Sequence, residues 1–253
     1  MRVLVTGASS GIGKALLPLF AADGHDLVLV ARRGDLLAQH KGDLERQFRV
    51  KVDTHVVDLA QPGAAEALFA ATGPVDVVVN NAGFGSYGLF LDQTLARQRE
   101  MIALNVVALA ELTRLYAEPM QARGSGKILQ VASTAAFQPG PRMAVYYATK
   151  AFVLSLSEAL AVELAASGVT VTTLCPGPTR SEFMDVASYA LTPLIERSMM
   201  TSEDVARIGY RALLRGDRLA VCGARNKVMA VASQVAPRGL VLAVTERIMR
   251  SRG

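Results

Sequence analysis

The strongest constraint on the fold is the order of apolar runs along the chain. The chain begins with RVLV, an apolar run of strand length that leads directly into the glycine-rich turn TGASSGIG. Further runs of strand length follow, and longer segments with helical periodicity separate them. Strands that alternate with helices form βαβ units, so their sheet is parallel and is covered by helices on both faces. The sequence therefore predicts an α/β fold.

Seven runs rich in β-branched residues are candidate strands. They are RVLV, LVLVA (Leu27 to Ala31), VDTHVV around Thr54, VDVVVN ending at Asn80, KILQVA (Lys127 to Ala132), VTVTTLC (Val169 to Cys175) and RLAVCG near Arg218. The longest helical segments extend from Leu95 to Met120 and from Ala144 to Ala166. Right-handed crossovers then predict a doubly wound, Rossmann-type sheet of seven parallel strands. Because no linker, repeat or low-complexity segment interrupts the pattern, we expect a single domain over residues 1–253.

Composition narrows the class of protein. Apolar residues make up 51% of the chain and charged residues 19%, which favours a folded core over disorder. No apolar run reaches the ~18–20 residues of a membrane span, and the N-terminus lacks the features of a secretory signal. The two cysteines, Cys175 and Cys222, have no metal-like spacing. We therefore expect a cytoplasmic protein with reduced thiols and no metal site.

The net charge of +5 is concentrated near the C-terminus. From Thr201 onward there are ten Lys and Arg residues against four Asp and Glu residues. A basic tail can bind nucleic acid, anionic lipid or an acidic substrate. Here the arginines are interspersed with apolar residues and form no basic block, so we expect a solvated helix face. Neither nucleic acid nor a membrane is expected as a partner.

The turn VTGASSGIG (Val5 to Gly13) lies where the first predicted strand meets the first predicted helix. Glycines there permit a tight turn and let a diphosphate approach backbone N–H groups at a helix N-terminus. Its spacing, G-x-x-x-G-x-G, differs from the G-x-G-x-x-G of many dinucleotide sites. Its position after the first strand nevertheless favours a nucleotide site.

The end of the second predicted strand indicates which dinucleotide binds. Arg32 and Arg33 stand there, with no carboxylate beside them. An acidic residue at this place accepts from the ribose 2′-hydroxyl of NAD, whereas arginine pairs with the 2′-phosphate of NADP. The arginines favour NADP(H) over NAD(H), and an exposed pair that contacts nothing is the alternative. Asp58 after the third strand and NNAG (Asn80 to Gly83) after the fourth are expected at the same crevice.

The stretch VYYATKA contains a tyrosine and a lysine four residues apart, Tyr146 and Lys150. One helical turn separates them, so both side chains lie on one face of a helix. Such pairs also occur by chance on ordinary helices. The surrounding motifs must therefore decide whether this pair is catalytic.

In combination, the motifs resemble those of the short-chain dehydrogenase/reductase family from Arg2 to about Ser181. TGASSGIG, Asp58, NNAG, Asn105 in MIALNVVAL, Ser133 in LQVAS, YYATK and PGPTRS occur in family order and at family-like intervals. The resemblance implies hydride transfer between a nicotinamide and a small-molecule carbonyl or secondary alcohol, by a homodimer or homotetramer. Ser133 lies 13 residues before Tyr146, the family interval, which selects Tyr146 over Tyr147 as the catalytic phenol. FGSYGLF and the C-terminal tail are similar to a bacterial DltE-type subgroup.

The resemblance also implies roles for individual residues. Ser133 donates to the substrate oxygen, Lys150 hydrogen-bonds the nicotinamide ribose, and Asn105 holds a water that links Lys150 to a proton relay. The implied catalytic residues are Asn105, Ser133, Tyr146 and Lys150. The expected cofactor contacts are Gly7, Ser9, Ser10, Gly11, Ile12, Gly13, Arg32, Arg33, Asp58, Leu59, Asn81, Ala82, Gly83, Tyr146, Lys150, Pro176, Gly177 and Thr179. The family more often has threonine where Ser181 stands.

Proton transfer near neutral pH favours a tyrosine whose pKa lies below the usual ~10. A lysine cation ~4 Å from the phenol, at an effective dielectric constant of ~20, stabilises the phenolate by about 4 kcal/mol. That energy corresponds to roughly three pKa units. We therefore expect Lys150 to lower the pKa of Tyr146 to about 7.

Two segments near the C-terminus are predicted to shape the substrate site. Residues 181–200 stand where this family has its substrate lid, and their Leu, Met, Phe and Tyr residues suit an apolar substrate unless they pack on the core. From about residue 226 to 253 we expect a helical extension that breaks near Pro237. Three roles are open for this extension: it caps the substrate site, extends an interface or contacts a membrane surface. Core packing or an interface is favoured over a membrane surface.

Two rival functions remain open at this point. Epimerases and dehydratases among the extended relatives usually carry G-x-x-G-x-x-G and a longer C-terminal domain, and this sequence has neither. A non-catalytic NADP-sensing protein on the same fold typically lacks the tyrosine or the lysine of the catalytic set, and this chain has both. An NADP(H)-dependent oxidoreductase is therefore the favoured function.

Overall fold

A computed structural model describes residues 1–183 and 199–250. The strands are β1 (Arg2–Thr6), β2 (Asp26–Ala31), β3 (Val52–Val56), β4 (Val77–Asn80), β5 (Gly126–Val131), β6 (Val169–Cys175), β7 (Thr179–Arg180), β8 (Met200–Thr201) and β9 (Leu219–Val221). The α-helices are α1 (Gly11–Ala22), α2 (Gly34–Phe48), α3 (Ala64–Thr72), α4 (Leu95–Ile102), α5 (Leu109–Arg123), α6 (Ala144–Glu163), α7 (Ser202–Arg215), α8 (Ala224–Val235) and α9 (Arg238–Arg250). A π-helical stretch, Ala103–Ala108, joins α4 to α5.

Seven strands form one parallel sheet in the order β3-β2-β1-β4-β5-β6-β9. The chain starts near the middle, winds outward to β3, returns to the other side of β1 and winds outward again. β1 pairs with both β2 and β4, so that Val5 lies opposite Leu29 and Val79. The reversal between β1 and β4 opens a crevice at the carboxyl ends of these strands, where ligands bind in this architecture. The predicted doubly wound, Rossmann-type sheet is confirmed.

Helices cover both faces of the sheet, which explains why the central strands are apolar on both sides. On one face α1, α2 and α7 pack around Phe20, and its ring meets that of Tyr210 edge to face at 4.9 Å. On the other face α3, α5 and α6 pack around Tyr116 and Leu112. Each fully buried side chain of this size contributes about 1.5–3 kcal/mol to folding. These two layers hold the crevice in place.

The two long predicted helices are present with changes in detail. The helix predicted from Leu95 to Met120 continues to Arg123 and includes the π-helical stretch in its middle. The helix predicted from Ala144 to Ala166 ends at Glu163, and a 3₁₀ turn follows. Among the described helices, α6 alone is long and apolar enough to cross a membrane by length and composition. It packs against β6 and the crevice, as core helices with such compositions do.

The C-terminal extension is helical as predicted, and α8 and α9 are separated at Pro237. Of the predicted lid, residues 181–200, the part from 184 to 198 lies outside the described residues. The chain just before the predicted lid and the chain at its end form a short parallel pair of strands, β7 and β8. The expectation of a single domain over residues 1–253 stays a prediction.

Candidate active site

The glycine-rich turn between β1 and α1 forms a floor for the crevice at the point where the sheet reverses. A Cβ atom on Gly13 would lie 2.3 Å from the carbonyl oxygen of Gly7, which no side chain tolerates. Gly7 itself has a φ of +66°, in the left-handed region. Only glycine at these two positions lets α1 begin this close to the end of β1.

The first turn of α1 meets the requirements of a diphosphate site. Ser10 is the N-cap residue, and its side chain makes no capping hydrogen bond. The first turn contains no acidic residue. Within the described chain, therefore, no side chain competes for the backbone N–H groups at the positive end of the helix dipole. This arrangement fits the pyrophosphate of a dinucleotide.

A hydroxyl that the sequence analysis missed holds the NNAG turn against β1. Thr6 Oγ1 accepts hydrogen bonds from the backbone N–H groups of Asn81 and Ala82, each at 3.0 Å, and donates to Val79 O at 3.2 Å. Asn81 Nδ2 donates to Thr6 O at 3.0 Å. The turn therefore forms the crevice wall opposite α1. The role of this threonine, the first residue of TGASSGIG, gave no signal in sequence because its partners lie more than seventy positions away.

Two arginines line the crevice beyond the glycine-rich turn. Arg33 donates from Nε and Nη2 to Ser9 Oγ at 3.3 and 3.0 Å, and its Nη1 lies 2.8 Å from Glu182 Oε2. Arg32 Nη1 lies 3.2 Å from Glu100 Oε1. Both guanidinium groups remain substantially exposed, so the two ion pairs are weak. Both arginines therefore contact protein side chains, and their binding of a 2′-phosphate stays a prediction.

Asp58 stands at the same end of the crevice as the arginines. Its carboxylate accepts from Gln61 Nε2 at 3.0 Å and from the backbone N–H of Ala60 at 3.1 Å. The Gln61 hydrogen bond is the main reason that the pKa of Asp58 lies below its usual value, and the Ala60 bond and the Arg32 charge act in the same direction. Asp58 is an anion that presents acceptor oxygens to the crevice.

Tyr146, Lys150 and Ser133 converge on one wall of the crevice. Tyr146 and Lys150 are buried in the first two turns of α6, as their four-residue spacing predicted. Lys150 Nζ donates to Val131 O at 2.8 Å and lies 5.9 Å from the centre of the Tyr146 ring. Ser133, just beyond β5, lies within hydrogen-bonding reach of Tyr146; its hydroxyl donates to Pro176 O at 3.4 Å and accepts from the Ala135 N–H at 3.1 Å. A phenol, a hydroxyl and a cation therefore meet at the carboxyl edge of the sheet.

The expectation that the pKa of Tyr146 lies near 7 is wrong for this structure. Burial raises the pKa of Tyr146 well above its usual value, and the Ser133 hydrogen bond offsets only part of that rise. Burial also lowers the pKa of Lys150 to about 8. The sequence estimate assumed a closer cation and left out the cost of burying the phenolate. At neutral pH the phenol is protonated and most Lys150 side chains are charged.

Asn105 lies in the π-helical stretch, and both polar atoms of its side chain form hydrogen bonds with other residues of the chain. Its Oδ1 accepts from the Phe84 N–H at 3.1 Å, and its Nδ2 donates to Phe84 O at 2.9 Å and to Thr149 Oγ1 at 3.1 Å. Thr149 Oγ1 in turn donates to Tyr146 O at 2.7 Å. Asn105 thus connects the segment after NNAG to the helix that carries Tyr146 and Lys150. Thr149, which the sequence analysis did not single out, is the link.

A cleft of about 900 Å³ extends over all these groups. Its walls include eighteen of the predicted site residues: Gly7, Ser9, Ser10, Gly11, Ile12, Arg32, Arg33, Asp58, Leu59, Asn81, Ala82, Gly83, Ser133, Tyr146, Lys150, Pro176, Gly177 and Thr179. Two predicted residues, Gly13 and Asn105, lie behind the walls and support them. Tyr147, the neighbouring tyrosine, also lines the cleft.

Comparison with known proteins agrees with this geometry. Residues 1–190 match the family of short chain dehydrogenases. A 7beta-hydroxysteroid dehydrogenase from Collinsella aerofaciens is 33% identical over 178 residues, which cover 70% of this chain and 68% of that protein.

The chain belongs to the short-chain dehydrogenase/reductase family.

Two solved structures share the fold of this short-chain dehydrogenase. A short-chain dehydrogenase from Sphingobium yanoikuyae, solved in complex with NADPH, is 32% identical with a TM-score of 0.84 over 92% of this chain and 93% of that one. A relative from Burkholderia phymatum, solved in complex with NAD, shares the fold with a TM-score of 0.80 at 24% identity, over 91% of each chain. The chain is therefore a nicotinamide-dependent oxidoreductase that acts on CH–OH or carbonyl groups.

In this short-chain dehydrogenase the C-terminal helices form part of the cleft, which sequence reasoning left open. Asn226 from α8 and Thr245 and Met249 from α9 line it. A Cβ atom on Gly177 would lie 2.3 Å from Asn226 Nδ2, so α8 packs directly on the PGPTRS turn. Tyr87 Oη donates to Met249 O at 2.7 Å. Capping the site, one of the roles considered for the extension, is thus what α8 and α9 do.

Proposed function

We propose that this short-chain dehydrogenase is an NADP(H)-dependent oxidoreductase that interconverts an apolar ketone or aldehyde and its alcohol. The observation that carries the proposal is the convergence of Ser133, Tyr146 and Lys150 on one buried wall beside the glycine-rich turn. A bound nicotinamide supplies or accepts the hydride. The roles that follow are those of the protein's own side chains.

In the direction of reduction, Tyr146 donates the proton. Burial keeps its phenol protonated at neutral pH, which is the form required of an acid. Ser133 donates a second hydrogen bond to the same substrate oxygen and stabilises negative charge as it develops there. Lys150, whose pKa is about 8, is mostly a cation at pH 7 and attracts the phenolate that proton transfer leaves behind. At ~6 Å and a dielectric constant of ~20, that attraction is about 3 kcal/mol.

Asn105 has a positioning role in this proposal. Its amide atoms are hydrogen-bonded to Phe84 and Thr149, so it orients the helix that carries Tyr146 and Lys150. The water relay expected from the family resemblance stays a prediction.

The preference for NADP(H) rests on the two arginines at the adenosine end. Arg33 already donates two hydrogen bonds to Ser9 of the glycine-rich turn, so its guanidinium lies beside the diphosphate site. The Arg32–Glu100 and Arg33–Glu182 pairs are exposed, and a 2′-phosphate dianion is a stronger acceptor than a solvated carboxylate. No acidic residue stands at the position where NAD enzymes bind the 2′-hydroxyl.

An apolar substrate is supported by the lining of the cleft next to Tyr146. Phe84, Met143, Phe183 and Met249 line this part, and the Phe183 ring lies 5.3 Å from the Tyr146 ring. The relative from Collinsella aerofaciens is named for a hydroxysteroid, a bulky apolar alcohol. A cleft of about 900 Å³ holds a cofactor and a substrate of that class together.

We further propose a homodimer or homotetramer in the cytoplasm. The outer side of α6 leaves Phe152 and Val162 exposed, which suits pairing with the same helix of a second subunit. Sedimentation velocity of the purified chain tests this assembly, and a monomer at micromolar concentration would contradict it.

The deciding experiment is NADPH and NADH oxidation by the purified protein against ketones and aldehydes of graded size, with Tyr146→Phe in parallel. We expect turnover with NADPH that falls at least a thousandfold in the variant, since the phenolic proton is lost. Tight NADPH binding in both proteins shows that the variant is folded. Tight binding without turnover of any carbonyl would instead support the NADP-sensing function.

A further inference from the structure

The outer sides of α8 and α9 form an exposed apolar surface, here named the C-terminal apolar face. It consists of Val228, Val231 and Val235 on α8 and of Leu240 and Val244 on α9. These five side chains are between 43% and 79% exposed. The three valines follow one another at helical spacing and lie on one side of α8.

This face is turned away from the cleft. The cleft is lined by other residues of the same helices, among them Ala230, Ser233, Thr245 and Met249. None of the five residues of the C-terminal apolar face belongs to that lining. A solvated helix carries polar residues on its outer side, so the pattern of α8 is the reverse of that expected for a helix facing water.

A second exposed apolar segment lies near the C-terminal end of α9. Leu89, Phe90 and Leu91 are 52%, 55% and 90% exposed. The segment follows directly on Tyr87, whose hydroxyl donates to Met249 O on α9 at 2.7 Å. Two separate elements beside the cleft therefore expose large apolar side chains.

The charge around the face indicates what covers it. Outside the cleft lining, residues 224–250 contain four basic side chains, Lys227, Arg238, Arg247 and Arg250, and one acidic side chain, Glu246; a fifth basic side chain, Arg225, lines the cleft. Within the described chain only Arg250 of these four forms an ion pair, with Glu246 at 2.7 Å. Two copies packed through this face would bring the unpaired cations together, whereas an anionic surface would neutralise them.

We propose that the C-terminal apolar face and residues 89–91 dock the protein on an anionic lipid surface. The apolar side chains enter the boundary between headgroups and acyl chains, and the basic side chains contact lipid phosphates. The helices that dock also line the cleft, so an apolar substrate dissolved in the lipid enters without crossing water. The basic side chains were expected on a solvated helix face; we place them on lipid instead, because only the folded structure shows which side of α8 and α9 faces outward.

Flotation with phosphatidylcholine vesicles, with and without phosphatidylglycerol, tests the proposal on the full chain. We expect binding only with phosphatidylglycerol, and binding that weakens as salt rises. The double variant Val231→Ser/Val235→Ser should bind at least tenfold more weakly, and Arg247→Gln about fivefold more weakly. Val56→Ser is the matched control, because Val56 is 63% exposed on the edge strand β3, away from the face.

Several results would overturn the proposal. The protein could bind neither kind of vesicle, or bind both equally well, and either result contradicts the proposal. An equal loss of vesicle binding in Val56→Ser and in the double serine variant contradicts it as well. A dimer that the double serine variant dissociates in sedimentation velocity would assign the face to a second copy of the chain. Retention only by an acidic protein would assign it to that partner. Circular dichroism and NADPH binding verify that each variant is folded, and neither depends on lipid.

Discussion

Thr149 connects two parts of the site through a single hydroxyl. It accepts from Asn105 Nδ2 at 3.1 Å and donates to Tyr146 O at 2.7 Å, and the side chains of Asn105 and Thr149 are almost fully buried. A buried donor or acceptor that loses its partner costs about 1–3 kcal/mol. The position of Tyr146 relative to the cofactor therefore depends on a residue that does not line the cleft.

Replacement of Thr149 by valine should lower kcat about tenfold with little change in KM, because the helix carrying Tyr146 loses its link to Asn105. Thr149→Ser should restore activity to within about twofold, since the hydroxyl returns. Steady-state kinetics across pH measures both. Ser157→Ala is the matched control, because Ser157 donates to Val153 O on the same helix but contacts no site residue. An equal loss of kcat in Ser157→Ala would mean that Thr149 only stabilises the helix and does not position Tyr146.

The cofactor preference is likewise decided by single residues. Arg32→Asp should shift the ratio of kcat/KM for NADPH over NADH by one to two orders of magnitude toward NADH, because the carboxylate repels the 2′-phosphate and accepts from a 2′-hydroxyl. Arg46→Asp, on an exposed part of α2 outside the cleft lining, controls for the change in net charge. An unchanged ratio in Arg32→Asp would exclude Arg32 from the 2′-phosphate site.

At the scale of elements, α9 decides how far the cleft is closed. It contributes Thr245 and Met249, both buried, to the cleft lining. Met249 also belongs to the apolar cluster around Phe84, Met143 and Tyr146. The helix rests on the rest of the molecule partly through the hydrogen bond from Tyr87 to Met249 O. The diphosphate and adenosine ends of the cleft are built from other elements.

A chain that ends after Ala236 should keep its affinity for NADPH within about threefold and lose selectivity among ketones of different size. The physical reason is that α9 closes only the substrate part of the cleft. Cofactor titration by fluorescence and kcat/KM for a ketone series measure the two effects. Tyr87→Phe should change the selectivity among the ketones in the same direction but to a smaller extent, because it removes one hydrogen bond to α9 and no apolar surface. A large loss of NADPH affinity in the shorter chain would contradict this assignment of α9.

At the scale of the whole molecule, burial of the Lys150 charge makes stability depend on pH. Burial holds the pKa of Lys150 at about 8, below the usual ~10.4 of an unfolded chain. Between these values the folded state binds fewer protons at this group than the unfolded state, so its contribution to the free energy of unfolding rises with pH. Burial raises the pKa of Cys175 and Cys222 to about 12, which acts in the opposite direction.

The contribution of Lys150 is isolated by comparison with Lys150→Met. From pH 7 to pH 10.5 the free energy of unfolding of the wild type should rise by about 3 kcal/mol relative to the variant. Urea denaturation at intervals of half a pH unit measures the difference. The contribution of Cys222 cancels because both proteins contain it, and that of Cys175 cancels largely, since Lys150 is only a minor cause of its pKa shift. Lys51→Met, on an exposed lysine, should show no such trend. A flat difference for Lys150→Met would mean that the folded site does not depress the lysine pKa.

The fold and most of the candidate site were predictable from local patterns. Alternating strand and helix periodicities specify βαβ units, and chirality then leaves few ways to arrange seven parallel strands. The glycine-rich turn, the arginines after β2 and the Tyr146–Lys150 pair lie at strand ends or one helical turn apart, so their proximity follows from the chain order. The DltE-type assignment and the assembly stay predictions.

Other features depend on contacts between residues far apart in sequence, and only the tertiary structure decided them. Thr6 binds the NNAG turn, Thr149 bridges Asn105 and Tyr146, and α9 closes the cleft through Met249. The pKa of Tyr146 was misjudged because the cost of burial is a property of the packed surroundings, whereas spacing along a helix reveals only the nearby charge. The orientation of the C-terminal apolar face toward solvent also depends on packing. An amphipathic pattern identifies the two sides of a helix, and only packing determines which side is exposed.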